Sequence, residues 1–171
     1  GKAYTDYVQM LDETNPDVVF IAVPPHVHGE IEPELIKRKI HFLVEKPMAL
    51  DYSVAEHICD EAEKAGILTA VGFQDRYLDV FNMVKDELPK HKPGGLVYGA
   101  WVGGIPGVWW WQKKSTCGGQ LVEQTIHQVD MARNVMGEPD TVYAMGGHNI
   151  VKGIEGFDVE DMSVTLVRFK S

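Results

Sequence analysis

Three short apolar runs, separated by stretches of helical length, constrain this chain more than any other feature. They are Val18–Val23 (VVFIAV), His41–Glu45 (HFLVE) and Ile67–Phe73 (ILTAVGF). Continuous apolar runs this short suit strands of a parallel sheet covered on both faces. Gly29–Lys39 between the first two reads as a helix, with Pro33 near its start and Lys37, Arg38 and Lys39 in its last turn. A second helix runs to Ala65, capped by Asp51 or Ser53, and Gly66 stands where a helix-ending glycine belongs. Strand, helix, strand, helix, strand makes two βαβ units that share their middle strand, so the sheet is expected to be parallel with right-handed crossovers. Val18–Val23 is expected as a central strand ended by Pro24-Pro25. Ahead of it, Thr5 N-caps a helix over Asp6–Glu13, and Asn15-Pro16-Asp17 is a turn.

A different regime follows Phe73. Tyr77–Leu88 reads as a helix, and Pro89–Gly95 as a loop rich in Pro, Gly and Lys. Leu96–Val102 alternates like a strand with one exposed face. The tract Gly103–Trp111 is too rich in glycine and aromatics to be regular. A long helix spans Gln120–Met136 and is stopped by Gly137 and Pro139; Thr141–Met145 and Ser163–Phe169 are strands. Two or three strands and one helix make a poor core alone, so both sheets look cut short, and the opening Gly1-Lys2-Ala3 hints at a fragment. The fold class is α/β: a partial Rossmann-like parallel sheet followed by a partial α/β substrate domain, divided at 1–74 and 75–171.

Composition excludes several classes. The 171 residues carry 25 acidic and 16 basic side chains, a net charge of −9, which argues against a nucleic-acid partner. No apolar run approaches a membrane span. The two cysteines, Cys59 and Cys117, share no motif, and free thiols in a cytoplasmic setting are expected.

Chemistry concentrates in two places. In open parallel sheets ligands sit beyond the carboxyl ends of the strands. Those ends deliver Pro24, Pro25, His26 and His28 from the first strand, Glu45, Lys46 and Pro47 from the second, and Gln74, Asp75 and Arg76 from the third. Pro47 holds Lys46 extended at the strand end. A solvated rim of charges would look the same, but a lysine and a carboxylate so near a buried strand favour a site. The second place is the helix from Gln120. Glu123, His127, Asp130 and Asn134 follow i, i+4, i+7, i+11 and share one face, with Leu121, Val122, Val129 and Ala132 free to face the core. Imidazole suits general-base work near neutral pH, and a carboxylate one turn earlier could orient it. A wet polar stripe is the competing reading. A single E-x-x-x-H offers too few ligands, so no metal is expected. Trp109, Trp110 and Trp111 present flat faces that suit sugar rings, with Lys113 and Lys114 close by; a hydrophobic plug against another subunit would use the same residues. No G-x-G-x-x-G and no P-loop occurs.

The runs VPPHVHGE, FLVEKPMAL, GFQDRY and GGQLVEQTIHQVD, in this order, closely resemble the Gfo/Idh/MocA family, the glucose–fructose oxidoreductase and inositol dehydrogenase-like nicotinamide enzymes. The resemblance covers essentially the whole chain. It implies the back half of a nucleotide-binding domain, starting after the glycine fingerprint, joined to the front half of a substrate and oligomerisation domain.

The resemblance implies that Lys46 is the catalytic lysine and His127 the general base, with Glu123 beside it. Pro24, His28, Glu45, Lys46, Pro47, Gln74 and Arg76 would border NAD or NADP, and Pro47 would be cis. Lys46, Glu123, His127 and Trp110 would meet the substrate. Glu123 departs from the family pattern, which often has aspartate there. The implied reaction is hydride transfer between nicotinamide and a carbinol carbon of a sugar, polyol or inositol, in a homo-oligomer. An NAD-dependent glycosidase of the same fold and a non-catalytic sugar or cofactor sensor remain as alternatives.

Overall fold

A computed structural model of the chain describes residues 1–91, 95–148 and 150–170. The middle of the loop expected over Pro89–Gly95 lies outside the described residues. The chain divides into two compact units, Gly1–Val23 with Val27–Gly72, and Pro24–His26 with the chain from Phe73 onward.

The first unit is a three-stranded parallel sheet, β1 (Val18–Ile21), β2 (His41–Val44) and β3 (Thr69–Val71), in the order β1-β2-β3. Ile21 pairs with Val44 and Val44 with Val71, so the strands end level. Helix α1 (Tyr7–Thr14) precedes β1, and α2 (Glu32–Lys37) and α3 (Tyr52–Ala65) make the two crossovers. Leu11 of α1, Leu35 of α2 and Ile58 of α3 close with Ile21, Phe42 and Val44 of the sheet into one buried core. The middle strand is β2, not β1. Among the described residues β1 has β2 as its one neighbour, and Phe20 on it is 71% exposed. Its unbroken apolar run therefore overstated its burial: Val18 and Phe20, on the face opposite Ile21, stay exposed.

Local signals set the helix ends. Asp51 accepts from Ser53 N–H and begins α3, and Gly66 ends it at φ 68°. For α1 the cap is Asp6, not Thr5: its carboxylate accepts from the N–H groups of Val8 and Gln9. Thr5 lies one residue too early to reach both. Helix α2 is shorter than expected, starting at Glu32 beside Pro33. The stretch before it carries the positive φ of Gly29, 98°, which no helix admits.

In the second unit a 3-10 turn over Gln74–Tyr77 precedes α4 (Asp79–Glu87). Leu96–Val102 forms no strand, contrary to its alternation: no strand among the described residues pairs with it, and Leu96, Tyr98 and Val102 lie exposed. A 3-10 turn over Trp109–Gln112 and the short α5 (Lys114–Cys117) follow. The expected single helix from Gln120 is two, α6 (Gln120–Glu123) and α7 (Ile126–Met136). Thr125 N–H reaches back to Gln120 O at 3.0 Å, a widened turn that breaks the regular ladder. Strands β4 (Pro139–Gly147) and β5 (Met162–Phe169) pair antiparallel.

The burial of α6 and α7 inverts the expectation. Glu123, His127 and Asp130 are buried, whereas Val129 is exposed and Leu121, Val122 and Ala132 are half-buried. Polar groups enter an interior only with partners. Trp111 supplies one for Glu123 and Arg76 for Asp130.

Candidate active site

In the first unit the level strand ends place Glu45 next to Gly72. Glu45 N–H donates to Ile21 O at 2.9 Å and Gly72 N–H to Val44 O at 2.8 Å, which carries the ladder one residue past β2 and β3. The Glu45 carboxylate accepts from Lys46 N–H at 3.2 Å and sits over Gly72. A Cβ at position 72 would stand 2.9 Å from Glu45 Oε1, so glycine there admits the carboxylate. Lys46 is half-buried, Pro47 is buried, and the peptide bond between them is cis.

His28, just before α2, is buried against Glu32. Its Nδ1 lies 3.2 Å from Glu32 Oε1, and Glu32 Oε2 accepts from Gly29 N–H at 2.7 Å. Burial pushes the Glu32 carboxyl up, but the His28 hydrogen bond, backbone N–H donors and the His28 charge outweigh it and bring the group below its ordinary value. Sequence reasoning missed Glu32; the i, i+4 spacing from His28 was the available signal.

In the second unit His127 is the centre of a polar cluster. Phe73 meets its ring edge-on, 6.3 Å between centroids with 90° between planes. Asp75 Oδ2 stands 3.9 Å from His127 Nδ1. Trp111 donates its indole N–H to Glu123 Oε2 at 2.8 Å, both side chains buried. Arg76 grips Asp130 with a two-pronged contact, Nε to Oδ2 at 2.7 Å and Nη2 to Oδ1. That carboxylate raises the Arg76 guanidinium pKa further, against a smaller opposing effect of burial. Gln74 is exposed, and Pro24 and Trp110 are half-buried. Trp110 O accepts from Thr116 Oγ1, and Trp109 packs edge-on to His26 at 5.7 Å. Of the three indoles, only Trp111 is in the polar cluster. No group of His, Cys, Asp and Glu side chains among the described residues could hold a metal ion. No helix among them is long and apolar enough to cross a membrane.

Residues 1–73 match the model of the oxidoreductase family with an NAD-binding Rossmann fold, and residues 96–171 match the GFO/IDH/MocA C-terminal domain. The chain belongs to the Gfo/Idh/MocA family. Myo-inositol 2-dehydrogenase of Thermotoga maritima is 29% identical over 174 residues, covering 99% of this chain and 51% of that protein. Levoglucosan dehydrogenase of Pseudarthrobacter phenanthrenivorans is 27% identical, covering 96% and 49%. A solved structure of levoglucosan dehydrogenase in complex with NADH and levoglucosan superposes with a TM-score of 0.81 at 25% identity, over 97% of this chain and 48% of that one. The chain thus spans about half the length of these Gfo/Idh/MocA relatives.

Proposed function

We propose that the protein is an NAD(P)-dependent oxidoreductase that moves a hydride between nicotinamide and a hydroxyl-bearing carbon of a sugar, polyol or inositol. The observation that carries this reading is the buried His127 on α7, wedged between an aromatic ring and a carboxylate, in a chain that also keeps Lys46 at the end of β2. Relatives named as dehydrogenases of myo-inositol and levoglucosan support the substrate class. NADH in solved relatives supports a nicotinamide cofactor, NAD or NADP. The division into a nucleotide domain over 1–74 and a substrate domain over 75–171 belongs to the same proposal.

The cradle around Glu45 fits half of such a cofactor. A carboxylate seated over Gly72 offers acceptors to ribose hydroxyls; Pro24, His28, Lys46, Pro47, Gln74 and Arg76 are proposed as further cofactor-binding residues. No glycine fingerprint in this chain would take the diphosphate. When bound, the nicotinamide accepts or returns the hydride. His127 takes the hydroxyl proton as the carbon is oxidised and returns it in reduction. The Lys46 ammonium stabilises the developing charge on that oxygen. Glu123, fixed by Trp111, and Trp110 are proposed on the substrate side.

The test is a turnover assay with NAD and a panel of inositols and anhydro-sugars, using the full-length protein with Lys46→Ala and His127→Ala. Each substitution is expected to abolish turnover, a loss of about 100-fold or more, while cofactor affinity stays within a few-fold by fluorescence titration. Full activity in either variant refutes the mechanism.

A further inference from the structure

We propose that Asp75 is the positioning residue for His127: its carboxylate accepts a hydrogen bond from the imidazole Nδ1–H and so leaves Nε2 as the basic nitrogen. The inference rests on the reading of His127 as the base. Sequence spacing favoured Glu123, one turn earlier, as the orienting carboxylate. The geometry points elsewhere.

His127 Nδ1 is buried and has no hydrogen-bond partner. A buried ring nitrogen without a partner costs stability unless something completes it on binding. Asp75 Oδ2 lies 3.9 Å away. A shift of about 1 Å brings that oxygen within bonding reach, and catalytic hydrogen bonds are commonly long before a ligand is present. Glu123 Oε2, by contrast, already accepts the indole N–H of Trp111.

The surroundings favour Asp75 as well. It sits in the 3-10 turn over Gln74–Tyr77, closed by Arg76 N–H to Phe73 O and Leu78 N–H to Asp75 O, both 3.2 Å. The next residue, Arg76, clamps that turn to α7 through Asp130. Asp75 lies 3.9 Å from the imidazole, while Arg76 is engaged by Asp130 and Glu123 by Trp111. Arg76 and Asp130 neutralise each other, so the charge of Asp75 stays available to the imidazole. Its side chain keeps 27% exposure, room enough for a change of rotamer. The Phe73 ring holds the imidazole plane while Asp75 selects the tautomer.

The experiment is nitrogen-15 NMR of the histidine rings in the full-length protein, with kinetics alongside. The wild type is expected to show neutral His127 mainly as the Nδ1–H tautomer. Asp75→Asn shifts it toward Nε2–H and lowers kcat about tenfold or more with KM within about threefold, and Asp75→Glu restores part of the loss. A wild-type ring that is mainly Nε2–H overturns the proposal, with no need for any variant to fold. So does an unchanged tautomer ratio in Asp75→Asn. His127→Ala separates the two levels. If it keeps full turnover, the base assignment itself fails. If it is inactive while the Asp75 variants match wild type, only the role of Asp75 fails.

Discussion

Replacing Glu32 with alanine should cost about 3–5 kcal/mol, because it removes a buried carboxylate from two donors. The structure shows why. Both side chains of the His28–Glu32 pair are 0% exposed, and the carboxylate serves two donors, His28 at 3.2 Å and Gly29 N–H at 2.7 Å. Its removal forfeits a hydrogen bond to a charged group, about 1.5–3 kcal/mol, and strands a buried donor at about 1–3 kcal/mol more. Against a total stability of about 5–15 kcal/mol, that is a large share. Urea denaturation of the wild type, Glu32→Ala, His28→Ala and the double variant gives the coupling between them. The pH arm has a definite sign. The folded carboxyl lies below its ordinary 4.5, so its stabilisation is present above that pH and is lost as the pH falls through the lowered folded value. Glu32→Gln should flatten that part of the acid limb. A Glu32→Ala loss under about 1 kcal/mol, or an acid limb identical in Glu32→Gln, would refute the buried-pair reasoning.

Two further outcomes follow from the same reasoning. Cys117 is buried and burial pushes its thiol up, despite the Gly119 N–H that favours the thiolate, whereas Cys59 is exposed. A thiol reagent under native conditions should therefore label Cys59 quickly and Cys117 only on unfolding, and equal labelling rates would contradict the fold around α5. Arg76→Lys keeps the charge but not the fork that grips Asp130, and should destabilise by about 1–2 kcal/mol in thermal unfolding. A neutral result would show the clamp to be slack.

Where local chemistry decides the backbone, the sequence was a good guide. The three strands and the helix stop at Gly66 needed only propensity and capping, and of the two expected caps, Asp51 and Ser53, the structure uses Asp51. The error at Thr5 was one residue wide, because two candidate caps stand side by side and only geometry shows that Asp6 reaches two N–H groups. The larger errors have a tertiary origin. Leu96–Val102 has the alternation of a strand, but a strand exists only when another pairs with it. Phe20 and Val129 look like core residues, and burial depends on what lies opposite, which no local pattern records.

The failure at α6 and α7 says most about function. Helical spacing singled out Glu123, His127, Asp130 and Asn134, of which the first three are buried across α6 and α7, yet ordinary amphipathic logic turns such a polar stripe outward. The structure turns it inward, and each of the three meets a group from a segment with no periodicity: Trp111 from the glycine-rich tract, Asp75 and Arg76 from the turn after β3. Burying three ionisable groups sacrifices stability that an apolar face would have supplied. Irregular segments are where such partners can be delivered, because their backbone is not committed to a ladder. The spacing along α6 and α7 therefore marks out the polar residues, while the groups they meet are visible only in three dimensions. Asp75 is the sharpest case: it lies 52 positions before His127 along the chain, yet its carboxylate stands 3.9 Å from the imidazole.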